Sequence, residues 1–145
     1  MPVRNARTEW TGGLQDGSGT VALTSSGIGS YSVSWPRRAG DDAEGVTSPE
    51  ELIAAAHSSC YCMQLSALIG EAGGTVTSLV TDAAVRFGPD PAGGFRISGI
   101  KLTVRGQVEG LDADGFAKVA DDAKATCPVS KALTGTEITL DAALA

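Results

Sequence analysis

The chain has one histidine, three cysteines and no C-x-x-C pair. That is too few clustered donors for a four-ligand zinc site. It also lacks a basic stripe. Lysine and arginine are scattered singly apart from Arg37-Arg38, and the formal charge is −6. Without cations arrayed to neutralise phosphates, nucleic acid is excluded as a partner. The opening residues MPVRNARTEW carry no apolar run of the kind a secretory signal needs, so a cytoplasmic location is expected. An odd number of cysteines at irregular spacing does not form a secreted disulfide framework. In a reducing compartment such cysteines are catalytic, metal-binding or simply buried. Internal repeats, low-complexity tracts and linkers are absent, and 145 residues suit a single domain over 1–145.

One more absence organises the chain. Between Glu51 and Glu71 there is no charged residue. The stretch SPEELIAAAHSSCYCMQLSALIGEAGG opens with Ser48 as a helix cap, Pro49 at the first helical position and Glu51 completing a Ser-x-x-Glu capping box. Gly70, Gly73 and Gly74 stop it. A helix without a charged face is expected to be buried nearly all round. Ala54, Ala55, Ala56, Ser58, Ser59, Ser66 and Ala67 would let another backbone approach closely. The length would also suit a bilayer crossing, but His57, Gln64 and the serines dilute it and no second span accompanies it. A central core helix and no membrane association are expected.

Around this helix the remaining elements follow from periodicity and turn residues. Arg4–Trp10, Gly19–Thr24 and Tyr31–Trp35 have strand-like content, and PRRAGDDAEGVTSP after them reads as a polar loop. Thr75–Phe87 and Phe95–Val108 alternate apolar and polar residues about the turn GPDPAGG and predict a long hairpin. Asp112–Lys124 places Phe116, Val119, Ala120 and Ala123 at helical spacing, with Asp112 as cap. Pro128 breaks that helix and starts a short one through Leu133, and Thr136–Leu144 closes as a strand. The order predicts an α+β domain with sheet packed on helices.

His57, Cys60 and Cys62 lie within the charge-free helix. Residues two apart on a helix point about 200° away from each other, so Cys60 and Cys62 cannot share a ligand or pair together. Cys127 precedes a proline at a helix start, where backbone N–H groups favour a thiolate.

TSPEELIAAAHSSCYCMQLSALIGEAG, followed far downstream by CPVSKAL, resembles the OsmC/Ohr family of osmotically inducible and organic-hydroperoxide-resistance proteins, in wording closer to its OsmC branch. The resemblance spans most of the chain. It implies an intertwined homodimer with β-sheets wrapped around long central helices. It further implies thiol-dependent reduction of organic hydroperoxides, with H2O2 a poorer substrate, recycling by a small dithiol or dithiol protein, and no cofactor or metal. By position, Cys60 matches the peroxide-attacking cysteine, Cys127 the resolving one, and Glu50 the carboxylate that pairs with an active-site arginine. Arg38 is the better match for that arginine and Arg37 the alternative; Cys62 stands where the family often has a small or apolar residue.

These roles make chemical sense. An arginine favours a thiolate and stabilises charge developing on peroxide oxygens, while a carboxylate holds its guanidinium through forked hydrogen bonds. Two functions of other classes compete: a cysteine hydrolase or acyl-transferase using Cys60 with His57, and a non-catalytic domain binding a small apolar ligand. Only the peroxidase has a use for Cys127. His57 is read as a satisfied buried histidine and Cys62 as inert core.

Overall fold

Side-chain alternation and capping chemistry set the elements of the computed structural model, which describes residues 1–145. In order they are β1 (Arg7–Thr11), β2 (Ser18–Ala22), β3 (Ser30–Val33), α1 (Trp35–Ala39), α2 (Pro49–Glu71), β4 (Thr75–Pro89), β5 (Phe95–Glu109), α3 (Ala113–Thr126), α4 (Pro128–Ala132) and β6 (Ile138–Leu144). The architecture is α+β. The chain forms two units, Met1–Leu52 and Ile53–Ala145.

The first unit is an antiparallel meander in the order β1-β2-β3. Trp10 pairs with Gly19 across the first hairpin. A Cβ at Gly19 would lie 2.9 Å from the Trp10 ring and 2.7 Å from the Glu9 carbonyl, so only glycine lets the indole lie flat there. The third strand stops at Val33, two residues short of the expected Trp35. The polar loop after it instead opens with the five-residue helix α1. The cause is local: Pro36 has its φ fixed for a helix start, and the Arg38 N–H bonds the Ser34 carbonyl at 3.0 Å. The chain then returns beside β3, where the Thr47 N–H bonds the Ser32 carbonyl at 3.0 Å.

At the head of α2 the Ser48 hydroxyl accepts from the Glu51 N–H at 3.1 Å, as a cap should. The reciprocal half of the expected capping box is replaced: the Glu51 carboxylate accepts from the Thr47 hydroxyl.

In the second unit β4 and β5 form a long antiparallel hairpin, and β6 runs parallel to β5 on its other side. Along β5 the side chains of Ile100, Leu102 and Val104 are buried at the two-residue period of a sheet face. The α3 side chains of Phe116, Val119, Ala120 and Ala123 are buried at helical spacing, and Asp112 caps that helix by accepting from the Gly115 N–H at 2.8 Å. From α2 comes a single stripe: His57, Tyr61, Leu65 and Ile69, each fully buried and each one turn after the last. These surfaces meet in one hydrophobic cluster that also contains Cys127. The Tyr61 hydroxyl donates to the Ala120 carbonyl at 3.0 Å and ties α2 to α3.

The expected all-round burial of α2 is not what one chain provides. Beyond that stripe, Ala55, Ala56, Ser59, Met63, Ser66 and Ala67 are exposed, with Met63 at 72 %. A helix packed on one sheet-and-helix layer covers one face, and nothing in the chain covers the opposite one.

Phe116→Ala is expected to lower stability by about 3–5 kcal/mol, because its ring is fully buried against Gly106. Tyr61→Phe should cost about 0.5–1.5 kcal/mol by removing the hydrogen bond between α2 and α3, the Ala120 carbonyl keeping its partner within the helix. Urea unfolding midpoints measure both, and an unshifted midpoint for Phe116→Ala would contradict this core.

Candidate active site

The chemistry lies at two places, one in each unit. In the second unit the decisive element is the joint between α3 and α4. A residue before proline is driven out of the helical region, and Cys127 accordingly has φ −56° and ψ 124°. It ends α3, with its N–H on the Ala123 carbonyl at 2.8 Å, and begins α4. Its sulfur therefore lies at the start of α4, where the N–H groups of Ser130 and Val129 favour its thiolate. Cys60 reaches the same point from α2, and the two sulfurs stand 3.3 Å apart although 67 residues separate them in the chain. All three cysteines are free thiols. Cys127 is fully buried and Cys60 half-buried.

The two thiols are unequal. Burial pushes Cys60 up, the Val129 N–H pulls it down, and Cys127 beside it pushes it up again, leaving it above the ordinary thiol value. Burial also pushes Cys127 up, but the Ser130 N–H, the Cys60 thiol, the Ser130 hydroxyl and the Val129 N–H outweigh it and hold it below that value. Cys127 is thus the more acidic of the two thiols, and each acts on the titration of the other.

Cys62 points elsewhere, as helical geometry requires, and its thiol meets the Thr81 hydroxyl on β4 at 3.0 Å. His57 is fully buried. Its Nε2 meets the Ser130 hydroxyl at 2.7 Å, and its Nδ1 has no partner, so only half of the expected satisfaction is present. Burial pushes the imidazole below its ordinary value and keeps it neutral. Ser130 and the Val129 N–H escaped the sequence reading. The signal was the third residue after Cys127 in CPVSKAL, meaningful only once α4 turns it back on the sulfur.

In the first unit the adjacent arginines of α1 diverge. Arg37 pairs with the exposed Glu44. Arg38 grips Glu50, its Nε donating to both carboxylate oxygens at 3.2 and 3.1 Å and its Nη2 to one of them at 2.7 Å. The Glu50 side chain is 8 % exposed and that of Arg38 31 %, so the fork is held in a partly desolvated place. Beside it is an apolar cleft of about 450 Å³, lined by Trp10, Leu14, Val33, Trp35 and Leu52, with Arg38 on its wall.

Two free thiols from distant elements, 3.3 Å apart on an α+β scaffold, are an arrangement suited to thiol redox chemistry. The model of the OsmC-like protein family matches residues 40–142. The peroxiredoxin OsmC proteins of Escherichia coli (strain K12) and Shigella flexneri are each 41 % identical over 138 residues, covering 95 % of this chain and 94 % of theirs. Among solved structures, an organic hydroperoxide resistance protein from Elizabethkingia anophelis superposes with a TM-score of 0.80 at 25 % identity, covering 100 % of this chain and 98 % of its own. The organic hydroperoxide resistance protein OhrB of Bacillus subtilis gives 0.75 at 25 % identity, covering 95 % and 97 %. The chain belongs to the OsmC-like family, on its OsmC branch.

The coupling of the thiols has a testable sign. In a Cys62→Ser background, Cys127→Ser removes a neighbour that raises Cys60, so Cys60 should titrate at lower pH than in the pair. Cys60→Ala removes a donor that lowers Cys127, so Cys127 should titrate at higher pH. Alkylation rate against pH reads both; shifts of the opposite sign would refute the sharing of one proton.

Proposed function

We propose that this chain, a peroxidase by its kinship with peroxiredoxin OsmC, reduces organic hydroperoxides to alcohols through a Cys60 sulfenic acid and a Cys60–Cys127 disulfide. The observation that carries the reading is the 3.3 Å approach of two free thiols from distant elements. The Cys60 thiolate attacks the distal peroxide oxygen, the O–O bond breaks, and the departing alkoxide takes up a proton as alcohol. The Cys127 thiolate then attacks the Cys60 sulfur, and the S–O bond breaks. Hydroxide leaves as water with the second thiol proton. A dithiol, small or protein-borne, returns the disulfide to thiols, as the reducing cytoplasm allows. Fast closure protects Cys60 from overoxidation.

Arg38 and Glu50 supply the electrostatic part in this reading. The guanidinium favours the Cys60 thiolate and the charge growing on the peroxide oxygens, and the carboxylate fixes its orientation. α2 is unbroken from Pro49 to Glu71, which separates Glu50 from Cys60 by about 15 Å along the axis. The fork is therefore assigned to the Cys60 of a second copy in a homodimer. The exposed, charge-free face of α2 supports this, since burying it is favourable and costs no ion desolvation. The apolar cleft beside Arg38 supports substrates with apolar tails over H2O2. A hydrolase reading loses ground on two points: the hydrogen bond of His57 runs to Ser130, and hydrolysis has no use for Cys127.

After one equivalent of alkyl hydroperoxide, peptide mass mapping should find Cys60 joined to Cys127, and kcat/KM should favour the alkyl hydroperoxide over H2O2. A sole adduct on Cys62, or equal efficiency with H2O2, would count against the mechanism or the apolar site respectively.

Homodimers of Cys60→Ser and of Glu50→Ala are each expected to lose about 10²-fold or more in peroxide reduction. Mixing the two chains should recover one working site per mixed dimer. No recovery, or full activity in a monomer, would defeat the shared site.

A further inference from the structure

The thiol pair is one of three contacts that join α2 to the segment around Pro128, and the mechanism uses that one alone. His57 Nε2 meets the Ser130 hydroxyl at 2.7 Å, Cys60 meets Cys127 at 3.3 Å, and the Gln64 amide donates to the Thr126 hydroxyl at 3.0 Å. Residue numbers rise along α2 as they fall along the segment it faces. The contacts are therefore rungs of a ladder, and the sulfurs occupy the middle rung.

The outer rungs are unequal. Thr126 is exposed, so its bond to Gln64 competes with water. At the other end His57 is fully buried and Ser130 is 5 % exposed, and their bond lies where water does not compete. The His57 ring has no other polar anchor, since its Nδ1 is without a partner. For α4 the bond matters more. Five residues do not sustain a helix alone. Val129 rests half-buried against the core, but the one side chain of α4 that is buried is Ser130. A hydroxyl, not an apolar face, is what this helix seats in the interior.

Seating α4 places Cys127. Ser130 lies within the turn that the Lys131 N–H closes on the Cys127 carbonyl at 3.0 Å. His57 lies one turn before Cys60 on unbroken α2. A fixed span between His57 and Ser130 therefore fixes the span one turn away, between the sulfurs. A disulfide closes at about 2.05 Å, so from 3.3 Å the sulfurs have about 1.3 Å to travel. A drift of α4 by the same amount would double that journey.

We infer that the His57–Ser130 bond is a strut that holds Cys127 ready for the Cys60 sulfenic acid and so protects Cys60 from a second oxidation. This rests on the disulfide mechanism proposed above. Both are positioning residues: neither meets peroxide, and neither exchanges a proton with the reacting sulfurs. Two reactions compete for the sulfenic acid. In one, Cys127 displaces its hydroxyl, giving disulfide and water. In the other, a second hydroperoxide transfers an oxygen to the Cys60 sulfur, giving sulfinic acid and alcohol. The first depends on where α4 sits and the second does not, so the strut sets their ratio.

The test follows a pulse of alkyl hydroperoxide by rapid quench and mass analysis, in protein carrying Cys62→Ser. It is read on the alkaline plateau of closure, where Cys127 is ionised in every variant and its acidity no longer enters. His57→Leu should slow closure about tenfold, and sulfinic Cys60 should appear at correspondingly lower peroxide. The first oxidation of Cys60 should keep the parent rate. His57→Gln, whose amide nitrogen can stand in for Nε2, should recover most of the closure. Equal slowing of both steps would put the effect on the whole site and overturn the inference.

A second comparison separates position from stability. His57→Leu leaves the Ser130 hydroxyl buried without its partner, and Ser130→Ala does the same to Nε2, so each should lower the urea midpoint. The double variant His57→Leu/Ser130→Ala removes both polar groups and should regain part of that loss. Its closure should stay slow, because the strut is still absent. Closure that recovers together with the midpoint would show that the bond serves folding alone, and the strut would be discarded. Both results are read against a parent that closes its disulfide, so they leave the peroxidase reading untouched. Should a single variant fail to fold, the double variant against His57→Gln decides the matter.

Discussion

The burial of one stripe of α2 against β5 and α3 is the constraint on which the second unit depends. His57, Tyr61, Leu65 and Ile69 repeat every fourth residue and have no solvent exposure. Once they are seated, the rotation and height of the helix are fixed, and Cys60, immediately before Tyr61, has little freedom left. The Tyr61 hydroxyl on the Ala120 carbonyl pins α2 to α3, whose last turn delivers Cys127. A chain of packed, hydrogen-bonded elements thus sets the distance between the sulfurs. Reactive geometry held by a core survives side-chain motion better than geometry held by a loop.

The same arrangement accounts for the unequal thiols. Cys60 projects from the middle of a helix, where every backbone N–H is already spent within α2, so it takes a donor from outside at Val129. Cys127 lies between two helices, where N–H groups are free. Burial raises both sulfurs, and donor supply decides which is lowered. An arginine brought to Cys60 would reverse the balance and pass the shared proton toward Cys127. Nothing inside the Cys60 helix can supply that charge, since it has none between Glu51 and Glu71.

Much of this was legible in the residues. Alternation located β4 and β5 within two residues at each end, and Asp112 with the Phe116–Val119–Ala120–Ala123 pattern located α3. Short-range chemistry suffices there. α1 was missed because five residues give no periodicity to read, and a polar composition around Pro36 suits a loop equally well. Which of Arg37 and Arg38 meets Glu50 depends on the direction of each side chain on that helix. The Ser130 bond to His57 joins residues 73 apart and leaves no local trace. The all-round burial expected of α2 failed for a different reason. Absence of charge marks a face that tolerates burial, but not whether the covering surface comes from the same chain.

The anion-favouring character of Cys127 also has a more specific cause than its position at a helix start. A helix macrodipole sums aligned peptide units, and α4 has only five residues to align. Its field is correspondingly weak. What lowers the sulfur instead is local: the Ser130 N–H, the Cys60 thiol, the Ser130 hydroxyl and the Val129 N–H. Pro128 costs this set nothing: it fills the first helical position, whose N–H has no partner in a helix, and leaves the second and third, Val129 and Ser130, to act on the residue before it. It also drives Cys127 out of the helical region, which ends α3 there.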